Sequence, residues 1–239
     1  MKAVILLAVL ALLTGCLYPQ DQRDAQHGPN EEQLERVQNA VTQFQENTGV
    51  LPIATREADT PQYRRYPVQF TQLIPAYLNE PPANAFENGG TYQYVLMNVE
   101  ETPEVKLIDL RTVRTIQELE TQIFSYRSSN QYAPVDEVVG SELLRLDYEA
   151  LGYEEEPTVA SPFHPDHRLP LLYTTQGDVV IDFSLDIQHY AEEYGLDGYE
   201  YGEDMRDLLT DHAPFVPAYS VPTTLTEEGG TEFLEGELS

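Results

Sequence analysis

An amphipathic helix pattern occurs twice in this chain, 82 residues apart, and that repetition narrows the folds open to it. Leu34, Val37, Val41 and Phe44 mark one apolar face at helical spacing. Shifted by 82 residues they fall on Ile116, Leu119, Ile123 and Tyr126, and Pro52 falls on Pro134. The echo continues with a drifting offset. Asn79-Glu80-Pro81 with Phe86 matches Glu155-Glu156-Pro157 with Phe163, and Thr91 to Leu96 matches Pro170 to Thr174. Leu107-Ile108-Asp109-Leu110 matches Val180-Ile181-Asp182-Phe183. Each unit reads helix, proline-containing loop, strand, turn, strand. The alternative is chance likeness between two amphipathic helices. In both cases each helix has a face to cover, and a small sheet is the nearest cover. The expected class is α+β: two related small units, 30–112 and 113–213, each an N-terminal helix packed on a small antiparallel sheet.

Local signals place the elements. Asn30 is a good N-cap, Gln33 completes a capping box, and Glu31 and Glu32 suit the helix dipole. Thr48-Gly49 stops the helix. Phe70 to Tyr77 reads as a short helix, and Thr91–Val99 with Val105–Leu110 as a hairpin. Leu185 to Tyr194 reads as a helix with Leu185, Ile187, Tyr190, Ala191 and Tyr194 on its apolar side. Asp204 to Leu209 reads as a last helical turn, after a Gly/Tyr/acid loop at 195–203. Residues 214–239 carry prolines, threonines and the run TEEGGTEFLEGELS, the composition of a disordered acidic tail.

The amino terminus carries the compartment signal. Lys2 precedes eleven unbroken apolar residues, Ala3 to Leu13. A membrane-spanning helix needs about 20, so the run fits a signal peptide instead. It ends in Leu13-Thr14-Gly15-Cys16, which resembles the lipobox of bacterial lipoproteins. That resemblance implies cleavage before Cys16 and a diacylglyceryl group on its thiol. Residues 1–15 are then the signal peptide and 16–29 a lipidated tether. The expected location is the outer face of the cytoplasmic membrane, in a Gram-positive type of cell. Cys16 is the only cysteine, so no intramolecular disulfide forms and the fold rests on its core.

Loss of Lys2 leaves 12 basic against 41 acidic residues. Such a surface repels phosphates, which excludes nucleic acid as a partner. Dense carboxylates stay hydrated in salt, and arginine holds its charge in alkali. Adaptation to such a habitat and an acidic face for cations or basic partners both account for the charge.

Two family resemblances arise. Phe44-Gln45-Glu46-Asn47-Thr48-Gly49-Val50-Leu51-Pro52, Leu73-Ile74-Pro75-Ala76-Tyr77-Leu78-Asn79 and Gly90-Thr91-Tyr92-Gln93-Tyr94 resemble the globular part of type II secretion pseudopilins. A lipobox and a polar tether replace the pseudopilin processing glycine and long apolar helix, so only the fold is implied. Cys16-Leu17-Tyr18-Pro19, Gly49-Val50-Leu51-Pro52-Ile53 and Pro82-Ala83-Asn84-Ala85-Phe86-Glu87-Asn88-Gly89-Gly90 resemble the YphF-type lipoproteins of Bacillus relatives. Some members of that family bear the label of ABC-transporter binding protein.

Candidate chemistry is sparse. His164-Pro165-Asp166-His167 places two imidazoles on a turn, with His189 and His212 as further donors for a metal that needs three or four ligands. Asp197, Glu200, Glu203 and Asp204 lie on one loop and suit calcium, although the EF-hand order is absent. Both sites have a plainer reading as solvated loops. No nucleophile motif or phosphate-cradling loop is present, and no cofactor is expected. The sixteen tyrosines, with no tryptophan, either fill sheets or stack on a ligand. The expected function is a non-enzymatic envelope interaction or structural module, membrane-bound through Cys16 and with an envelope protein as partner. The alternative is a solute-binding lipoprotein of an ABC transporter, which requires a deep concave site between the units. Cys16→Ala is expected to abolish palmitate incorporation; normal radiolabelling of that variant would remove the anchor.

Overall fold

A computed structural model describes residues 31–54, 56–57 and 59–234. Helix α1 (Glu31–Thr48) buries Val37, Ala40, Val41 and Phe44. Gly49, at φ +75°, closes it by donating its amide to the Gln45 carbonyl, a left-handed cap that glycine adopts without a Cβ clash. The short helix α2 is a single turn, Phe70–Leu73, rather than the eight residues expected. Pro75 is the reason: its ring excludes the helical region for Ile74, which is extended at ψ 136°.

Strands β1 (Tyr92–Met97) and β2 (Glu104–Asp109) pair antiparallel, Tyr92 opposite Asp109 and Met97 opposite Glu104. Gln38 of α1 reaches the hairpin, accepting the Val105 amide at 2.7 Å and donating to the Pro103 carbonyl at 3.0 Å. Extended segments cover both hairpin edges. On one side, Val68 donates to Tyr94 and Leu96 to Tyr66. On the other, Leu107 donates to the Pro214 carbonyl and accepts from the Val216 amide. The loop before β1 is tight. A Cβ on Gly90 would lie 2.1 Å from the Asn84 carbonyl, and Asn84 Oδ1 accepts the buried Tyr94 hydroxyl at 2.7 Å.

Helix α3 (Arg111–Asn130) buries Ile116, Leu119 and Ile123, as its spacing predicts. It covers a five-stranded sheet of β3 (Val135–Val138), β4 (Leu143–Leu146), β5 (Thr158–Ala160), β6 (Arg168–Thr174) and β7 (Val179–Ile181). β6 is paired with β4, β5 and β7. Helices α4 (Ser184–Tyr194) and α5 (Arg206–His212) and the hairpin β8 (Thr223–Leu225) with β9 (Thr231–Phe233) complete the chain.

The class is α+β, with helices on small antiparallel sheets. The order helix then hairpin recurs, α1–β1–β2 and α3–β6–β7, but the second half inserts β3, β4 and β5. The packing does not divide at residue 112. One apolar core runs from Val37 on α1 to Leu225 on β8.

The largest departure from expectation is at the carboxy end. Residues 214–234, read as part of a disordered tail, are folded into the body. Phe215, Val216, Ala218, Val221 and Leu225 are buried, and Ser220, Thr223 and Thr224 with them. Composition misled because the acidic run begins only at Glu227. Before it, apolar residues are spaced along extended backbone, where proline is tolerated at an edge. Two cations fix this return. Lys106, the sole lysine beyond Lys2, donates to the carbonyls of Thr210 and Ala213 at 2.6 and 3.1 Å, at the end of α5. The buried Arg206 chelates Asp204, donates to Ser220 Oγ at 3.0 Å and lies 5.2 Å from the centre of the Tyr63 ring.

Candidate functional site

The folded carboxy segment closes a cavity of about 530 Å³ where the two halves meet. Asp59, Pro61 and Arg64 supply one wall from the segment after α1. Val113, Ile116, Gln117 and Glu120 of α3 supply another, and Gln176, Asp178, Val179 and Val180 of the β6–β7 turn and β7 a third. Tyr219 completes it, held by its carbonyl, which accepts the Ile181 amide at 2.7 Å. The volume falls within the usual range for small-molecule sites.

Arg64 is the unusual group on this wall. Its guanidinium carbon sits 4.5 Å from the centre of the Tyr219 ring. Its Nε is buried and has no hydrogen-bond acceptor among the described residues. The other arginines withdrawn from solvent are all served: Arg65 by the Thr60 carbonyl, Arg145 by Glu137 and Glu156, Arg206 by Asp204. Glu120 and Asp178 stand together on the cavity rim. Burial raises the Glu120 carboxyl above its ordinary range, and the Asp178 charge adds to the shift.

The histidines form a second cluster. His164 and His167 stack with ring centres 4.0 Å apart, and His189 of α4 lies 4.7 Å from His164 and 5.5 Å from His167. His212 is elsewhere, stacked on Tyr194. Beneath the stack lies Asp186, fully buried in the first turn of α4. It pairs with His167 Nδ1 at 2.6 Å and accepts the Ser161 hydroxyl at 2.6 Å. Ser161 in turn accepts the amides of Phe163 and His164, which fixes the turn. The helix therefore faces inward with Asp186, Ile187 and Tyr190, whereas Leu185 is 44% exposed. The sequence pattern favoured Leu185; the donors on Ser161 and His167 are what allow a carboxylate in its place.

Both imidazole–carboxylate and serine–carboxylate contacts are present, but Ser161 gives its proton to Asp186 and not to an imidazole. The constellation thus lacks the serine-to-base hydrogen bond of an activated nucleophile. Among the described residues, no group of three or more His, Cys, Asp or Glu side chains is arranged to hold a metal ion. Stacked rings present faces to each other, whereas ligation needs ring nitrogens converging on one point. On the acidic loop, Asp204 directs both oxygens at Arg206, and Asp197 lines a separate cavity of about 360 Å³ with Lys106 and Asp211. Glu203 donates its backbone amide to the Glu200 carbonyl. Cys16 lies outside the described residues. Among those residues no helix is long and apolar enough to cross a membrane.

Arg64, Tyr219 and Asp186 were not singled out by sequence. One signal was present for Arg64: Tyr63-Arg64-Arg65-Tyr66 sets two adjacent cations between aromatics in a chain with 13 cations and 41 acids.

Burial raises the Asp186 carboxyl above its ordinary range, and the hydrogen bonds from Ser161 and His167 oppose that rise without cancelling it. The folded state then holds this proton more tightly than the unfolded state. Its stabilising contribution grows as pH falls through the folded value and is complete below the ordinary carboxylate range. Wild type is expected to gain stability relative to Asp186→Asn as pH is lowered toward the ordinary carboxylate range near about 4, read as urea midpoints. A constant or opposite gap would contradict this.

Comparison with protein families matches residues 30–109 to the YphF family N-terminal domain. No curated protein and no solved structure matches the chain, and the pseudopilin likeness has no counterpart in the comparisons. The matched span ends with β2, so α3 and everything after it lie beyond. Residues 30–109, which carry α1 and the first hairpin and make up about a third of the chain, are thus similar to the YphF family N-terminal domain.

Proposed function

We propose that the protein is a membrane-tethered, non-enzymatic binding protein of the cell envelope that holds a small ligand in the junction cavity. The tether is the lipid on Cys16, which places the folded body on the outer face of the cytoplasmic membrane. The observation that carries the reading is the cavity of about 530 Å³ walled by both halves and by Tyr219. A rigid scaffold has no need of such a space, and its wall carries both charged and apolar side chains, as small-molecule sites do. The reading favours a solute-binding lipoprotein, with an ABC transporter as the natural recipient of the solute. It is non-enzymatic in that the Ser161–Asp186–His167 contacts serve to fix a turn.

One observation favours the second reading, a protein-interaction module. Phe86 is 64% exposed on a loop that is otherwise fixed by the Gly90-to-Ala85 and Tyr92-to-Asn84 backbone bonds. An aromatic presented on a rigid loop suits a partner surface.

Gln117 is exposed on α3 and lines the cavity, so Gln117→Trp fills it without disturbing the core. A small-molecule screen by thermal shift is expected to find compounds that stabilise wild type and leave Gln117→Trp unmoved. Stabilisation that persists in Gln117→Trp would place binding elsewhere. If no compound stabilises wild type while Phe86→Ala loses an envelope partner captured by crosslinking, the interaction module is the correct reading.

A further inference from the structure

The three imidazoles beside the first turns of α4 take no part in the proposed binding, yet they are packed against one another. His164 and His167 stack at 4.0 Å, and His189 lies 4.7 Å from His164 and 5.5 Å from His167. Two of the rings have a carboxylate. Asp186 holds His167 Nδ1 at 2.6 Å, and Glu193 lies 3.3 Å from His189 Nε2. His164 forms no ion pair among the described residues; its Nδ1 accepts the Asp166 amide at 3.3 Å. Tyr190 of α4 donates its hydroxyl to the Phe163 carbonyl at 3.4 Å, and its ring lies 6.1 Å from that of His189. Beyond it, Tyr194 stacks on His212 of α5. The other charged groups of this stretch, Asp166 on the turn and Arg168 at the start of β6, are exposed.

We infer that this cluster is a pH-operated latch, closed on α4 while His164 is neutral and released when His164 takes a proton in mild acid. An imidazole accepts a hydrogen bond only through an unprotonated nitrogen. A proton on Nδ1 turns it from acceptor to donor and leaves the Asp166 amide nothing to donate to. It also sets a cation face to face with His167 at 4.0 Å, where like charges repel. Asp186 is close enough to interact with the charge of either ring, but one carboxylate offsets one cation. Imidazole is the side chain whose ordinary titration falls between about pH 5 and 8, and His164 is only half-buried, within reach of solvent protons. Release is confined to residues 163–166, because Ser161 and His167 keep their own bonds to Asp186. The amides of Phe163 and His164, which donate to Ser161 Oγ at 2.9 and 3.2 Å, let go with the ring. Phe163 carries the change inward. Its ring meets Phe183 at 5.6 Å, Tyr190 at 6.0 Å and Phe215 of the carboxy segment at 6.3 Å. The latch thus joins a proton site near the surface to the packing that holds the carboxy segment, with or without a ligand in the cavity.

The test is amide hydrogen exchange by NMR on the full-length protein in detergent, from about pH 8 to about pH 5, with the His164 ring followed in the same samples. Protection is taken relative to the free-chain rate at each pH. The Phe163, His164 and Asp166 amides are expected to lose protection at least about tenfold across this range, in step with the His164 ring, since one proton taken up on opening is worth up to about tenfold per pH unit. Amides in the interiors of β1 and β6 are expected to keep theirs. His164→Asn has no ring to titrate, and its side-chain oxygen still offers an acceptor to Asp166, so its protection is expected to stay constant. His212→Gln is expected to behave as wild type. Melting temperatures report whether each variant is folded. If His164→Asn does not fold, His167→Gln decides: it removes the stacked cation and frees Asp186 to offset His164, so its loss of protection is expected to be smaller than that of wild type. Protection that stays constant while His164 titrates overturns the latch, as does an equal loss in His164→Asn or, where that variant fails, in His167→Gln. A loss shared by β1 and β6 is acid unfolding of the whole body and overturns it too.

Discussion

The buried guanidinium of Arg206 is the interaction on which the assembly of this fold depends. It gathers Asp204 before α5, Ser220 in the carboxy segment and the ring of Tyr63 from the first half. Tyr63 extends the link, donating its hydroxyl to Asp207 at 3.0 Å. A buried cation is tolerable only when its charge and its donors are met, and here they are met by three separate stretches of chain. Lys106 performs a related task from β2, closing the carbonyls at the end of α5. The seam also completes the backbone bonding of both hairpins. Leu107 of β2 bonds to residues 214 and 216, and Ile181 of β7 bonds to Tyr219. An edge left open in either hairpin would be a site for pairing with another chain.

The seam has a consequence for function. Tyr219 is positioned by Ile181, and Arg64 rests on the Tyr219 ring, so the carboxy segment builds the cavity as well as sealing the sheets. In a chain of charge −28, cations are scarce and their placement is informative. Arg206 and Lys106 serve the fold, and Arg145 bridges Glu137 and Glu156 on its own face. Arg64 is half-buried, as Arg145 is, but forms no ion pair with a carboxylate among the described residues.

The helices and hairpins were legible because their signals are local. The spacing of Val37, Val41 and Phe44, the stop at Gly49 and the alternation through Val105 to Ile108 all act within one element. What escaped was set by distant partners. Asp186 displaced Leu185 from the inner face of α4 because Ser161 and His167, far back in the chain, supply hydrogen-bond donors to it. Residues 214–225 look like tail because their prolines and threonines form no periodic pattern, and their order comes from β2, β7 and Arg206. Of the two further histidines the sequence offered, His189 lies beside the pair at 164 and 167 and His212 does not, and the sequence does not say whether imidazoles meet by edge or by face. Arg64 was invisible for the same reason: its isolation from carboxylates is a property of the folded surroundings.

Native-state hydrogen exchange tests the seam most directly, through the amides of Val216, which bonds to Leu107, and of Ile181, which bonds to Tyr219. If the carboxy segment closes one cooperative body, both amides exchange only with the opening that also exposes the interiors of β1 and β6. If Val216 and Ile181 exchange at the rate of free chain while β1 and β6 remain protected, the segment is a tail after all, and the cavity it completes does not exist.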